Sequence, residues 1–223
     1  MFQTTSDPIA LHDRPVLDLD GVRPAPIAPR LTFRVGGKPV LVFDDLFTEQ
    51  FVETFAMFLL RQDYRPRPSF DNELSAAMTP EFLGSLPALP DIAEAILRCD
   101  YPAIAGVPNE QVLSHGYSAA IRHGDSCEIH QDVTCDDCVT FLYYGNLVWN
   151  EAWGGETVFC DRAAGAGACV SPRPGRLVLF PAAIHHRAGV PARDCPTFRY
   201  GLSLFYRCPR MLQRPVRRAA PGV

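Results

Sequence analysis

The sequence lacks the long apolar run of about 20 residues that a helix needs to cross a bilayer. It also lacks the basic-then-apolar start that is typical of a secretory signal. Basic residues are not in excess, since 21 Lys and Arg face 25 Asp and Glu, for a net charge of −4. These absences argue against a membrane or a nucleic acid as the main partner. We therefore expect a cytoplasmic protein.

A second Cys-x-x-Cys pair is also missing. Among eight cysteines, only Cys135 and Cys138 have this spacing. A structural zinc site usually needs two such pairs, or one pair with two histidines. A thioredoxin-like redox pair precedes a helix, whereas VTFLYYG after Cys138 has the pattern of a strand. We therefore predict reduced thiols in a polar turn, with structural zinc and redox activity as the alternatives.

The composition is that of a globular protein, with 223 residues, 47% hydrophobic and 21% charged. This length is sufficient for a single domain with a sizeable core. Three regions are predicted: a proline-rich arm (1–30), one domain (31–210) and a basic tail (211–223). Within the domain, a helical lead-in (31–110) precedes a β-rich core (111–207).

Apolar periodicity places the main elements. The lead-in has a strand at 39–45, a helix at 46–62 with Thr48 as N-cap, a loop at 63–72 and a second helix at 89–100. Five strands are predicted in the core: 112–122, 139–145, 156–160, 176–181 and 198–207. Many short strands at such spacing are typical of a barrel or sandwich.

His130 and Asp132 form a His-x-Asp triplet in EIHQDV. Residues two apart in a strand point to the same face, so both side chains can reach one ion. A third ligand is available in FPAAIHHRAGV, from either His185 or His186, because neighbouring strand residues point in opposite directions. Two histidines and one carboxylate on one side of an ion form the facial triad of non-haem Fe(II) oxygenases.

Arg199 follows in FRYGLSLFYR. A buried arginine is costly unless it pairs with an anion, and a carboxylate satisfies it through two hydrogen bonds. If the ion binds one end of a dicarboxylic co-substrate, Arg199 can bind the other.

Four motifs in order resemble the Fe(II)/2-oxoglutarate-dependent dioxygenases, in their prolyl-4-hydroxylase-like branch: EIHQDV, YYGNLVWNEAWGGETVFCD, GRLVLFPAAIHHRAGV and FRYGLSLFYR. The lead-in PVLVFDDLFTEQFVETFAMFL resembles the opening strand and helix of that branch. The resemblance implies a mainly β fold with flanking helices, a double-stranded β-helix or jelly roll. It also implies an enzyme that uses Fe(II), 2-oxoglutarate and O2.

The resemblance also implies roles for single residues. His130, Asp132 and His186 match the metal ligands, and Arg199 matches the residue that pairs with the far carboxylate of 2-oxoglutarate. The tyrosine and serine that often complete the co-substrate site are displaced here. Tyr117, Ser203 and either Tyr143 or Tyr144 are the candidates for those contacts.

Oxidative decarboxylation of 2-oxoglutarate, coupled to oxidation of a C–H bond, is the implied reaction. Related halogenases replace the carboxylate ligand with a small residue, so Asp132 favours hydroxylation, with desaturation, epimerisation or ring closure as variants. Three functions remain open: oxidation of a small molecule such as a natural-product intermediate, hydroxylation of a protein residue such as proline, or metal binding by a cupin-like jelly roll. His115 and His123 are interpreted as strand-face or surface histidines.

Overall fold

The computed structural model describes residues 27–66, 74–78, 89–98, 107–108 and 110–209, and residues 74–78 by their backbone alone. The predicted tail (211–223) and most of the predicted arm (1–30) lie outside the described residues. In the described part of the chain, no helix is both long and apolar enough to span a membrane.

Eleven strands and two α-helices are described. The helices are α1 (Glu49–Leu60) and α2 (Leu89–Arg98). The strands of the N-terminal part are β1 (Leu31–Val35), β2 (Lys38–Phe43), β3 (Arg65–Pro66) and β4 (Leu74–Met78). Those of the core are β5 (Val112–Ile121), β6 (Val139–Tyr144), β7 (Thr157–Asp161), β8 (Ala166–Val170), β9 (Leu177–Pro181), β10 (His185–Ala188) and β11 (Arg199–Arg207).

The strands form two antiparallel sheets. The larger has the order β1-β2-β9-β6-β11-β5-β4-β3, and the smaller has the order β10-β7-β8. Apolar side chains from both sheets share one core, which includes Val42, Tyr144, Phe159, Val170 and Phe180. The two sheets therefore enclose the protein interior, as expected for the predicted sandwich of short strands.

The outer face of the larger sheet is covered by the two helices. In α1, Phe51, Phe55 and Leu59 recur at helical spacing and are buried. The Thr48 hydroxyl accepts a hydrogen bond from the backbone N–H of Phe51 at 3.2 Å, which confirms the predicted N-cap. The helix packs on outward-facing residues of the sheet, so the opposite face of the sheet is left for the interior.

All five predicted core strands and the predicted strand at 39–45 are present, but five further strands were not predicted: β1, β3, β4, β8 and β10. Of these, β3 lies within the segment 63–72, which was predicted as a loop. The sequence of β8 is AGACV and that of β10 is HHRA, and neither has the apolar alternation that marks a strand. Strand preference depends mainly on the packing and pairing of neighbours, which a local pattern does not show.

Candidate metal and co-substrate site

The segment before β6 is joined to β10 by an isolated antiparallel bridge between His130 and His186. The backbone N–H of Asp132 donates to the carbonyl of Ala182 at 3.0 Å, just before β10. His130 and Asp132 are thus fixed in an extended segment beside the strand that carries the second histidine. This pairing brings together side chains that lie more than fifty residues apart in the sequence.

His130, Asp132 and His186 each offer one ligand atom, and these atoms lie within 4.8 Å of one another. The Nε2 atoms of His130 and His186 are each 3.6 Å from an oxygen of Asp132. The Nδ1 atom of His130 lies 2.9 Å from the carbonyl of Glu128, and that of His186 lies 2.9 Å from the carbonyl of Ile184. Nδ1–H donation to these carbonyls leaves both Nε2 lone pairs directed at a common point.

Thr140 on β6 fixes the carboxylate. Its hydroxyl donates to Oδ2 of Asp132 at 2.6 Å. Burial alone raises the pKa of the Asp132 carboxyl, but the neighbouring His130, His186 and Thr140 outweigh it, so the pKa lies below its usual value. Asp132 is therefore ionised at pH 7 and able to coordinate a cation.

The two adjacent histidines of β10 point in opposite directions, as the strand period predicts. His186 is buried and faces the triad, whereas His185 is only partly buried. Burial is the main cause that lowers the pKa of His186 below its usual value. Its imidazole is therefore neutral at pH 7, which is the form that binds a metal.

Arg199 begins β11 and is 2% exposed. Its Nε donates to the carbonyl of Gly155 at 2.7 Å, and its Nη2 donates to the hydroxyl of Thr157 at 2.9 Å. The guanidinium also lies 5.0 Å from the centre of the Tyr144 ring. Within the described ranges, no carboxylate lies within 4.0 Å of this cation, and Nη1 has no hydrogen-bond partner.

One cavity between the sheets joins Arg199 to the triad. Its lining combines residues of the larger sheet, of the smaller sheet and of the segment before β6: Tyr117, Ala119, Ile121, Cys127, His130, Leu142, Thr157, Phe180, His186, Ala188, Arg199, Gly201 and Ser203. The cation and the two histidines therefore face the same space, which suits an elongated ligand with a carboxylate at its far end.

Among the secondary candidates, Tyr117 and Ser203 line this cavity and lie opposite each other on β5 and β11. Tyr143 does not, because its ring packs edge-on against Phe47, Phe51 and Phe55 on the helix side of the sheet. Its hydroxyl is buried without a hydrogen-bond partner in the described structure. This placement contradicts the expected co-substrate role of Tyr143.

Tyr144 faces the interior, but its hydroxyl is already engaged. It donates to the carbonyl of Val170 at 3.0 Å and contacts the hydroxyl of Thr157 at 2.7 Å. Since Thr157 accepts from Arg199, the bonds form one directed chain from Arg199 through Thr157 and Tyr144 to Val170. Tyr144 therefore supports Arg199 through Thr157, and its hydroxyl has no proton left to donate to a ligand.

Three polar residues of the site were not predicted from the sequence: Thr140, Thr157 and Asn146. Asn146 is buried, and it accepts from the N–H of Tyr200 at 2.8 Å and donates to the carbonyl of Phe198 at 2.7 Å. It thus holds the backbone on both sides of Arg199. Neither β6 (VTFLYY) nor β7 (TVFCD) alternates regularly between apolar and polar residues, so no pattern in the sequence marks the two threonines.

Cys135 and Cys138 lie on a turn between the triad segment and β6, as predicted. The N–H of Asp137 donates to the Cys135 sulfur at 3.3 Å. Both thiols are free, and burial is the main cause that raises the pKa of Cys138 to about 12. The only group of three or more potential metal ligands within the described ranges is His130, Asp132 and His186.

The donors of this group suit iron(II). Two neutral imidazole nitrogens and one carboxylate oxygen on one side of an ion leave other coordination positions open, as in the facial triad of non-haem Fe(II) oxygenases. A structural zinc site instead closes with four ligands, usually including cysteine. The residues present therefore fit a catalytic iron centre.

Solved structures with the same fold support this assignment of architecture. A Pseudomonas putida prolyl-4-hydroxylase has a TM-score of 0.56 at 19% identity, over 76% of this chain and 92% of that chain. A Trichoplax adhaerens prolyl hydroxylase, in complex with a hypoxia inducible factor peptide, has a TM-score of 0.56 at 17% identity, over 79% and 87%.

A third similar structure is HygX from Streptomyces hygroscopicus with nickel, 2-oxoglutarate and hygromycin B bound. It has a TM-score of 0.54 at 16% identity, over 76% of this chain and 83% of that chain. The fold is thus the jelly roll that was expected. Among curated proteins, no sequence matches this chain.

Residues 111–207 match the model of the 2OG-Fe(II) oxygenase superfamily. This range contains the whole of the candidate site. The β-rich core is therefore similar in sequence to the 2OG-Fe(II) oxygenase superfamily, and its group of His130, Asp132 and His186 fits the Fe(II) that these enzymes use with 2-oxoglutarate and O2.

Proposed function

We propose that His130, Asp132 and His186 bind the Fe(II) ion, and that Arg199 binds the distal carboxylate of 2-oxoglutarate. The observation that carries this proposal is the buried Arg199 cation, which faces the cavity of the triad and has no carboxylate partner in the described structure. A cupin-like metal site without a co-substrate has no need of such a cation. This difference favours the oxygenase over the metal-binding jelly roll.

Iron(II) and 2-oxoglutarate, once bound, supply the oxidative decarboxylation by O2 that is coupled to oxidation of a substrate C–H bond. The chain's own residues position the metal ligands and limit the access of water to the cavity. Thr140 orients the Asp132 carboxylate, and the carbonyls of Glu128 and Ile184 orient the two imidazoles. The apolar residues Phe180 and Leu142 line the cavity and limit the access of water.

The primary substrate is proposed to be a small molecule, with natural-product biosynthesis as a candidate setting. The triad is recessed, since the side chains of His130, Asp132 and His186 are only 28%, 5% and 10% exposed. A recessed centre suits a compact substrate better than a polypeptide chain, which needs an open groove. The similarity to HygX, solved with hygromycin B, agrees with this substrate class.

Succinate formation tests the proposal. The purified protein, loaded with Fe(II), is supplied with 2-oxoglutarate and with fractions of small molecules or, separately, with proline-containing peptides. We expect small molecules to stimulate succinate release and to gain one oxygen in mass, and the His130→Ala variant to show neither effect. Stimulation by peptides alone would instead establish the alternative, a hydroxylase of protein residues. The similarity to the two prolyl hydroxylases is the observation that favours this alternative.

A further inference from the structure

Arg199 is the first residue of β11 and Arg207 is the last, and both lie on the same face of the strand. Side chains at alternate positions of this strand line the cavity, including Arg199, Gly201 and Ser203. The same period of two continues through Phe205 to Arg207, while the residues between them join the core under the helices. The interior face of β11 thus carries an arginine at each end, about 27 Å apart along the strand at roughly 3.4 Å per residue.

The triad lies between these two arginines. Phe205 pairs with Thr140 on one side and with His115 on the other, and the His115 ring stacks on that of Phe205 at 4.4 Å. Since Thr140 donates to Asp132, this row of three residues crosses the sheet at the level of the metal ligands. Arg207 follows one step beyond the row, on the side away from the proposed 2-oxoglutarate cation.

The charge of Arg207 is not neutralised by the described residues. None of their carboxylates lies within 4.0 Å of its guanidinium, and its buried Nε has no hydrogen-bond partner. A buried donor without an acceptor is costly, so an acceptor from outside the described structure is favoured. His115 does not share the charge, because burial, with the charge of Arg207 second, lowers the pKa of His115 below its usual value.

We propose that Arg207 binds an anionic group of the primary substrate, with a carboxylate as the group that its planar fork matches. This inference rests on the proposed function and narrows its substrate class from small molecules in general to anionic ones. With the co-substrate held at Arg199 and the substrate held at Arg207, the metal faces a carbon at a set distance from the substrate's anion. Arg207 thereby determines which C–H bond is presented.

Binding of simple carboxylates tests the inference without turnover. The whole chain is loaded with redox-inert Zn²⁺ and saturated with 2-oxoglutarate, so that the Arg199 end is filled. Benzoate and phenylacetate are then titrated by ligand-detected NMR, each beside its uncharged amide. The variants are Arg207→Met, Arg207→Lys and, as a control for the lost charge, Arg162→Met in the exposed turn between β7 and β8.

We expect the carboxylates to bind the parent protein more tightly than the amides. Arg207→Met should lower carboxylate affinity by about tenfold or more, the value for one charge-assisted pair, while amide and 2-oxoglutarate binding stay unchanged and so report an intact fold. Arg207→Lys should fall between, and Arg162→Met should match the parent.

Equal carboxylate affinity in the parent and Arg207→Met would overturn the inference. So would amides that bind as tightly as the acids, or an absence of carboxylate binding to the parent at millimolar concentration. If 2-oxoglutarate itself fails to bind the zinc-loaded parent, the proposed function is wrong and the inference falls with it. The two failures are therefore distinguished in one series of titrations.

Discussion

His130 and His186 exchange backbone hydrogen bonds, with N–H to carbonyl distances of 2.9 and 2.8 Å. The same two residues each place Nδ1 2.9 Å from the carbonyl two positions earlier in the chain. The two imidazoles are thus held by equivalent contacts, and a single backbone pairing sets the distance between them. The geometry of the site depends on this backbone pairing.

Replacement of single histidines should show that the adjacent His185 and His186 of β10 have different roles. We expect His130→Ala and His186→Ala to abolish stoichiometric Fe(II) binding and succinate formation, because each removes one of three donors. His185→Ala should keep most of both, since its side chain points away from the triad. Metal analysis after anaerobic loading measures this, and an inactive His185→Ala beside an active His186→Ala would refute the assignment.

Arg199 should determine co-substrate affinity and leave the metal unaffected. Arg199→Ala should weaken 2-oxoglutarate binding by about 30-fold or more, because loss of a desolvated charge pair costs roughly 2–5 kcal/mol. Arg199→Lys keeps the charge but loses the fork, so its affinity should lie between. Calorimetry of the metal-loaded protein measures both variants. Parent-like affinity in Arg199→Ala would remove the basis for the co-substrate site.

Thr140 should influence iron affinity without touching the ion. Thr140→Val keeps the shape of the side chain but removes the hydroxyl that donates to Asp132 at 2.6 Å. Loss of such a supporting contact typically lowers metal affinity by about 10–100-fold. Thr140→Ser should restore the parent affinity in a competition titration with a metal chelator. If the valine variant binds Fe(II) as tightly as the parent, the hydroxyl has no role in orienting the carboxylate.

Asn146 should support Arg199 from the backbone. Asn146→Ala removes the partner of the Tyr200 N–H and of the Phe198 carbonyl, which are part-buried, so the loss is at most about 1–3 kcal/mol each. We expect lower thermal stability and weaker 2-oxoglutarate binding. Asn150→Ala is the matched control, because Asn150 caps an exposed turn in the same loop through the N–H of Ala152. Equal 2-oxoglutarate affinity in both variants would argue against the role of Asn146.

The cysteine pair should be dispensable for metal content. The double variant Cys135→Ser, Cys138→Ser should fold and contain as much zinc as the parent, because no second pair completes a structural zinc site. Circular dichroism and elemental analysis of both proteins make the comparison. A molar equivalent of zinc that is present in the parent and lost in the double variant would contradict the prediction.

Sequence patterns predicted the five apolar core strands and both described helices because these elements carry clear periodicity. They did not predict β10, whose sequence HHRA is polar and forms a strand through its pairing with β7. They also failed to separate Tyr143 from Tyr144, because β6 is buried along its whole length. A strand covered on both faces shows no alternation, so its sequence does not reveal which side chains face the cavity.

The prediction for the metal ligands depended on different information. The spacing of His130 and Asp132 placed both on one face, but only the resemblance to a family favoured His186 over His185. Thr157 and Asn146 carry no such pattern. Their roles come from contacts with Arg199 and its neighbours over more than 40 residues of sequence, and such contacts exist only in the folded chain.

The immobile guanidinium of Arg199 limits the length of the diacid that the site can bind. Two hydrogen bonds and the Tyr144 ring fix the arginine head on folding, so the loss of up to about 2 kcal/mol of rotamer entropy has already occurred when a ligand binds. Because this rigid cation lies at a fixed distance from the metal ligands, the site selects keto diacids by their chain length. Oxaloacetate would be one methylene too short to span it and 2-oxoadipate one too long.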